Sequence, residues 1–299
     1  MTPDTSHVER AIARIESDCP PNRGPGNRSR ALGDLQSREE IVPAMLHYNA
    51  SRPLPCKEDA ERDVEVMMAA LGLQNIRRYM DQKHWTTESN LARAADEVEP
   101  GLKLENVAAH SWHVADATML LAPHFPEVDA THALELAILH DKLELITGDF
   151  DPVGVDGQGE TSHAFNQEAQ ADKVKAELAA LERYLADLRQ PLRDRQRRLI
   201  LETIHICSPE ARLVMAVDKL QALTFVLAKK DGTMTDEHLA FSLRYFRKSI
   251  EYFPGLIVHY GVLIGRLLNT IAGHRGVSAE QVVFSLPPSI RHYAAPAFE

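Results

Sequence analysis

From about residue 58 onward, apolar residues recur at three- and four-residue spacing, the pattern of helices that bury one face. EDAERDVEVMMAALGLQNIRRYMD (58–81) reads as a first helix. ENVAAHSWHVADATMLLA (105–122) is a second, closed by Pro123, and THALELAILHDKLELI (131–146) is a third, stopped by Gly148. A Gly- and Asp-rich loop, GDFDPVGVDGQGETS, follows. Long amphipathic helices are expected over about 163–187 and 191–206. Ser208-Pro209 pairs an N-cap residue with proline at the first helical position and opens a helix to Lys230. Two more helices fit 235–252 and 255–273. The pattern shows neither strand alternation nor a repeat nor a heptad run, so the expected fold is all-α.

The ends differ from this body. Residues 7–17 fit a short helix. CPPNRGPGNRS (19–29) reads as a loop, and 30–60 is weakly patterned and broken by Pro43, Pro53 and Pro55. The expected organisation is an N-terminal extension (1–57), one helical domain (58–274) and a C-terminal tail (275–299).

Composition narrows the function classes. The 299 residues carry a formal net charge of −10, which argues against broad binding to nucleic acid polymers or anionic membranes. A small anionic substrate is still allowed, because it needs only a local cation cluster or a metal. The cysteines, Cys19, Cys56 and Cys207, are odd in number and form no CxxC pair, as in a reducing compartment. The N-terminus lacks the apolar core of a signal peptide, and the longest apolar run near the C-terminus, LIVHYGVLIG, is too short to span a bilayer. A cytoplasmic protein is expected.

Three apolar helices each carry a His or an Asp where the pattern calls for a hydrophobe. His110 shares a face with Val114, Ala117 and Leu121. His140-Asp141 ends a very apolar helix, and Asp218 lies with Val214, Met215, Ala222 and Phe225. An ionised carboxylate in such a place costs several kcal/mol unless it is paired or bound to metal. Each residue alone has an ordinary reading, a satisfied core histidine or an aspartate paired with Lys219. Together, two imidazoles and two carboxylates suit one divalent ion that accepts nitrogen and oxygen, and Mn, Co, Zn, Mg and Fe all take such a set.

ENVAAHSWHVA, ILHDKLELITGD and SPEARLVMAVDK, in that order, resemble the HD superfamily. They are closest to the HD-domain 5′-nucleotidases that act on deoxyribonucleoside monophosphates. That family's signature reads approximately NVAEHS, HDxxExxxGD and PEAxLVxxxDK. The resemblance covers about residues 65–250. It implies an HD-domain helical bundle that forms a homodimer, with a metal held by His110, His140, Asp141 and Asp218. It further implies Glu144 as the catalytic glutamate, four residues after His140 and so on the same helix side. Asp149, just past Gly148, matches the aspartate that contacts the nucleotide sugar. The substrate implied is a nucleoside 5′-monophosphate.

Two departures bear on the substrate. Ala109 stands where the family has Glu before its first His. The family's Arg-x-Gly-Trp or Arg-Trp element, which helps bind phosphate and base, has no clean copy. Its candidates are Arg77, Arg78 and Trp85 upstream and Arg93 within the insertion TTESNLARAADEVEPGLK, with Lys142 inside the HD motif as a further phosphate candidate. Three alternatives stay open: an HD hydrolase of a nucleoside triphosphate, cyclic or modified nucleotide; a dinuclear iron oxygenase drawing on His113 and His205; and a non-catalytic nucleotide-binding protein. His132 and His163 are expected at the surface, Trp112 in packing, and Tyr245, Phe246, Tyr252 and Phe253 in the core or at a dimer contact.

Overall fold

The computed structural model describes residues 57–79, 82–85 and 104–297. Expectations for 7–17 and 19–29, and Arg93, lie outside them. The chain divides into two units, 1–61 and 62–299. Of the first, the described part is the opening of helix α1 (Lys57–Ala70).

The described residues are helical, with no strand longer than an isolated bridge between Arg77 and Asn106. The helix expected over 58–81 ends at Ala70 and continues as a 3-10 turn, Leu71–Asn75, into extended backbone at Ile76. The apolar spacing outran the α-helix because Leu73 is buried from the 3-10 turn and Tyr79 from the backbone beyond it. Helix α2 (Val107–Leu121) is capped by the Asn106 side chain, which accepts from the Ala109 amide at 2.9 Å. Helix α3 (Ala130–Leu139) is capped by Asp129, which accepts from Thr131 and His132.

The third expected helix does not run through to Ile146. After Leu139 the backbone tightens to i→i−3 bonds, from Lys142 to Leu139, Glu144 to Asp141 and Ile146 to Leu143, before the short helix α4 (Glu144–Thr147). In a three-residue turn positions i and i+3 eclipse, so Asp141 and Glu144 come to one side. Gly148 closes α4 at φ 73°, a left-handed conformation open to glycine at little cost, and aims Asp149 back.

Helices α5 (Gln167–Ala186) and α6 (Leu192–His205) fall close to their expected spans. Helix α7 (Pro209–Lys230) starts as expected, with Ser208 accepting from the Ala211 amide at 3.0 Å and Pro209 in the first turn. It is the central helix. It packs against α2, α3 and α6 and buries Leu213, Val214, Val217 and Leu223. The helix expected over 235–252 is interrupted at Arg247 into α8 (Asp236–Phe246) and α9 (Lys248–Tyr252).

Helix α10 (Ile257–Arg275) buries Tyr260, Ile264, Leu268 and Ile271 against the body. Its extended form, Pro254–Arg275, is longer than the ten-residue apolar run and, by length and composition only, long and apolar enough to cross a membrane; 44% of its most apolar window is buried within the fold. The expected tail is also folded. Helices α11 (Ala279–Ser285) and α12 (Pro288–Arg291) and the turn His292–Ala297 follow; α11 and the turn pack on α10, and Val282, Leu286 and Ala294 are buried.

Candidate metal centre

Helices α2, the end of α3 and α7 bring His110, His140 and Asp218 together. Their ligand atoms lie within 4.8 Å of one another, close enough to hold one metal ion. His110 is fully buried, and its Nδ1 donates to Gln221 Oε1 at 2.6 Å. The Gln221 amide nitrogen donates in turn to Glu105 Oε1 at 2.7 Å, which fixes the amide's orientation. His140 Nδ1 donates to the Ala137 carbonyl at 2.7 Å, in the last turn of α3. Both partners only accept, so in the neutral rings each Nε2 carries a lone pair.

Those two Nε2 atoms face each other at 3.3 Å. Asp141 Oδ2 lies 3.2 Å from one and 3.1 Å from the other, and Asp218 Oδ1 lies 3.1 Å from His110 Nε2. Four acceptors thus converge with the donor groups turned outward. A proton or a cation must sit among them for the arrangement to hold together. The donor set fits a divalent ion. Without one, a proton answers part of the demand. Burial and Arg78 pull the His110 imidazole down, but hydrogen bonds to Asp141 and Asp218 outweigh them and lift it to about 9. Burial alone would raise the two aspartates; His140 beside Asp141, and Lys219 and His110 beside Asp218, hold both well below the carboxylate range. Lys219 Nζ donates to the second Asp218 oxygen at 2.6 Å.

Glu144 and Asp149 stand beside this centre and line the same cleft. Glu144 Oε2 is buried and has no protein hydrogen-bond partner. Burial first, then the charges of Asp141 and Asp149, push its carboxyl well above the usual range. Burial also lifts Asp149 to about 6, with Arg78 opposing. The Arg78 guanidinium lies 3.9 Å from Asp149 and 3.6 Å from Glu105.

The cleft has two lobes that share Asp141, His163, Lys173, Lys219 and Tyr245. One is lysine-rich, where Lys248 joins Lys173 and Lys219, with Glu177 3.3 Å from Lys173. Burial and then these three lysines depress His163 to about 3. Lys248 itself, held chiefly by burial at about 8, donates to the Ala164 carbonyl. The other lobe contains Tyr79, Trp85, His238 and Phe241.

Among the substrate-binding candidates, Arg78 and Trp85 line the cleft. Arg77 does not: it is exposed, and its backbone bridges to Asn106. Adjacent positions on extended backbone point to opposite sides, so the Arg77-Arg78 pair divides. Lys142 does not either. The tight turn sends Asp141 into the cleft and Lys142 to a separate groove with Trp112, Met119 and Ile138. Trp112, expected in packing, is 64% exposed there. His113 stands 3.5 Å from Glu105 and 3.3 Å from Gln221, beside the hydrogen-bond chain and outside the His110, His140 and Asp218 cluster. His205 is exposed at the end of α6 and apart from the centre. His132 is half-buried and hydrogen-bonded to Glu202 at 2.9 Å, and Tyr245, Phe246 and Phe253 are buried.

Sequence reasoning missed Gln221, Glu105, Lys173 and Lys248, and placed His163 at the surface. A signal existed for Gln221, one turn after Asp218 on the same apolar face. Glu105 supplies from the helix start the carboxylate that Ala109 lacks.

Three helices that converge two histidines and two aspartates in this order define a helical metal-site architecture. Residues 92–254 match the HD domain family, more than half of the chain, and the chain belongs to that family. Among solved structures it is similar to one described as a predicted metal-dependent phosphohydrolase from Magnetospirillum magnetotacticum MS-1. Identity is 20% and the TM-score 0.43, over 81% of this chain and 98% of that one. No curated protein matches it.

Proposed function

We propose that the protein is a metal-dependent phosphohydrolase that converts a nucleoside 5′-monophosphate to nucleoside and phosphate. The observation that carries this reading is the convergence of four acceptor atoms beside a buried glutamate whose Oε2 has no protein partner. A divalent ion held by His110, His140, Asp141 and Asp218 would supply positive charge to the phosphoryl oxygens and acidify a water. Glu144 orients the attacking water and takes its proton; burial and the neighbouring carboxylates strengthen its hold on that proton. Arg78 offers its guanidinium to the phosphate, and Asp149 is placed to accept from a sugar hydroxyl. The sequence resemblance to HD-domain 5′-nucleotidases supports the same roles.

A second reading, hydrolysis of a nucleotide with a longer phosphate chain, is favoured by one observation: the Lys173, Lys219 and Lys248 lobe extends past the metal centre. One screen separates the two. Nucleoside mono-, di- and triphosphates are incubated with the protein and each of Mn, Co, Zn, Mg and Fe, and orthophosphate and longer phosphate products are measured separately. Orthophosphate and nucleoside from monophosphates support the first reading. Turnover confined to triphosphates supports the second, and no product with any metal rejects both.

A further inference from the structure

In the aromatic lobe of the cleft, three buried polar atoms have no hydrogen-bond partner in the protein: Tyr79 Oη, Trp85 Nε1 and Ser242 Oγ. Their residues are 7%, 3% and 0% exposed. All three line the cleft, two from the segment before α2 and one from α8. Buried polar groups are nearly always paired, so three orphans among the residues of one cleft point to a missing partner.

The backbone is shaped to hold them. Tyr79 has φ 67°, a left-handed conformation that an aromatic residue rarely adopts. Its ring stacks on Phe225 at 5.0 Å and 7° and contacts Trp85 at 5.0 Å, so both side chains are fixed before any ligand arrives. Lys230 lies 4.1 Å over the Trp85 ring, with its ammonium donating to the His84 carbonyl. His238, beside Trp85, is neutral: burial, then His84, holds it far below the usual histidine range. The rings make this lobe aromatic, and the ammonium nearest Trp85, that of Lys230, is already committed to the His84 carbonyl.

The indole N–H can only donate, so the missing partner presents an acceptor there. The two hydroxyls can donate or accept. We propose that this lobe recognises an uncharged heteroaromatic ring bearing hydrogen-bond acceptors, a nucleobase, and reads it by hydrogen bonds rather than by stacking alone. The inference rests on the nucleotide reading above. It makes the enzyme selective among bases, because a site built to hydrogen-bond one edge penalises a ring that leaves its groups unpaired.

The chain has two tryptophans, so Trp112→Phe leaves Trp85 as the sole indole fluorophore. In that background, titration with adenosine, guanosine, cytidine and thymidine should give saturable quenching for at least one, with affinities spread ten-fold or more. A flat response to all four overturns the inference whether or not the protein hydrolyses phosphate esters. In the kinetic arm, Tyr79→Phe, Trp85→Phe and Ser242→Ala each remove one polar group and keep the shape. Each should lower kcat/KM for the preferred nucleoside monophosphate about three- to ten-fold more than for ribose 5-phosphate. Equal losses on the two substrates overturn it. If wild type hydrolyses neither substrate, the phosphohydrolase reading fails, and nucleoside quenching alone decides the lobe.

Discussion

Removing the Gln221 amide while keeping its bulk tests whether the hydrogen-bond chain behind His110 sets metal affinity. In Gln221→Leu the His110 Nδ1–H loses its 2.6 Å acceptor, and Glu105 loses its 2.7 Å donor. Both groups are buried, with His110 0% and Glu105 5% exposed, so water does not replace the lost partner. The ring is then free to rotate or to adopt the other tautomer, which turns a protonated Nε2 toward the aspartates. Comparable losses behind metal-ligating histidines cost about 10–100-fold in affinity, or ~1.4–2.7 kcal/mol. The assay is competition for Zn or Co against a chromophoric chelator, with circular dichroism to confirm folding. Gln221→Glu serves as the companion, since it keeps an acceptor on Nδ1–H. A folded Gln221→Leu protein whose metal affinity stays within two-fold of wild type refutes the idea that this chain orients His110.

Glu144→Gln should lower kcat by about 10²–10⁴-fold while metal content stays near wild type, as expected for a group that moves a proton but does not ligate; loss of metal together with activity would make Glu144 a ligand instead. Asp149 concerns pH. Its carboxyl rises from an ordinary 3.8 to about 6 in the fold. The folded state therefore holds this proton more tightly, and the group's contribution to stability is full below about pH 4 and lost as pH rises through 6, an interval worth at most about 3 kcal/mol. In metal-free protein, Asp149→Asn should flatten Tm against pH across that window; a profile parallel to wild type counts against the buried-carboxyl account.

The convergence of His110, His140 and Asp218 was legible because it broke a rule: helical periodicity called for hydrophobes at 110, 140, 141 and 218, and the chain put His and Asp there. Gln221 was hard to read for the opposite reason, since one amide on an apolar face has many ordinary explanations. Lys142 was named because it lies inside the HD motif, and the sequence did not show which way its side chain turns. The tightening to three residues per turn sets Asp141 and Glu144 together and leaves Lys142 outside. The lysine-rich lobe was invisible because its lysines come from three helices, α5, α7 and α9, and only tertiary packing makes them neighbours. Arg78, by contrast, was within reach of sequence reasoning, but nothing there distinguished it from Arg77.

The crossing of three helices at His110, His140 and Asp218 also concerns the endurance of the fold. An ion seated there would tie together chain positions 30 and 78 residues apart in sequence, spacings of 140 − 110 and 218 − 140. It would act on the folded form alone, so resistance to heat would follow metal supply by mass action, about 2.7 kcal/mol at a hundred-fold excess over the dissociation constant. The same protein handled in a chelating buffer would melt at a lower temperature and expose α2, α3 and α7 to proteases. Scarcity of the ion would then limit how long the protein survives as well as how fast it works.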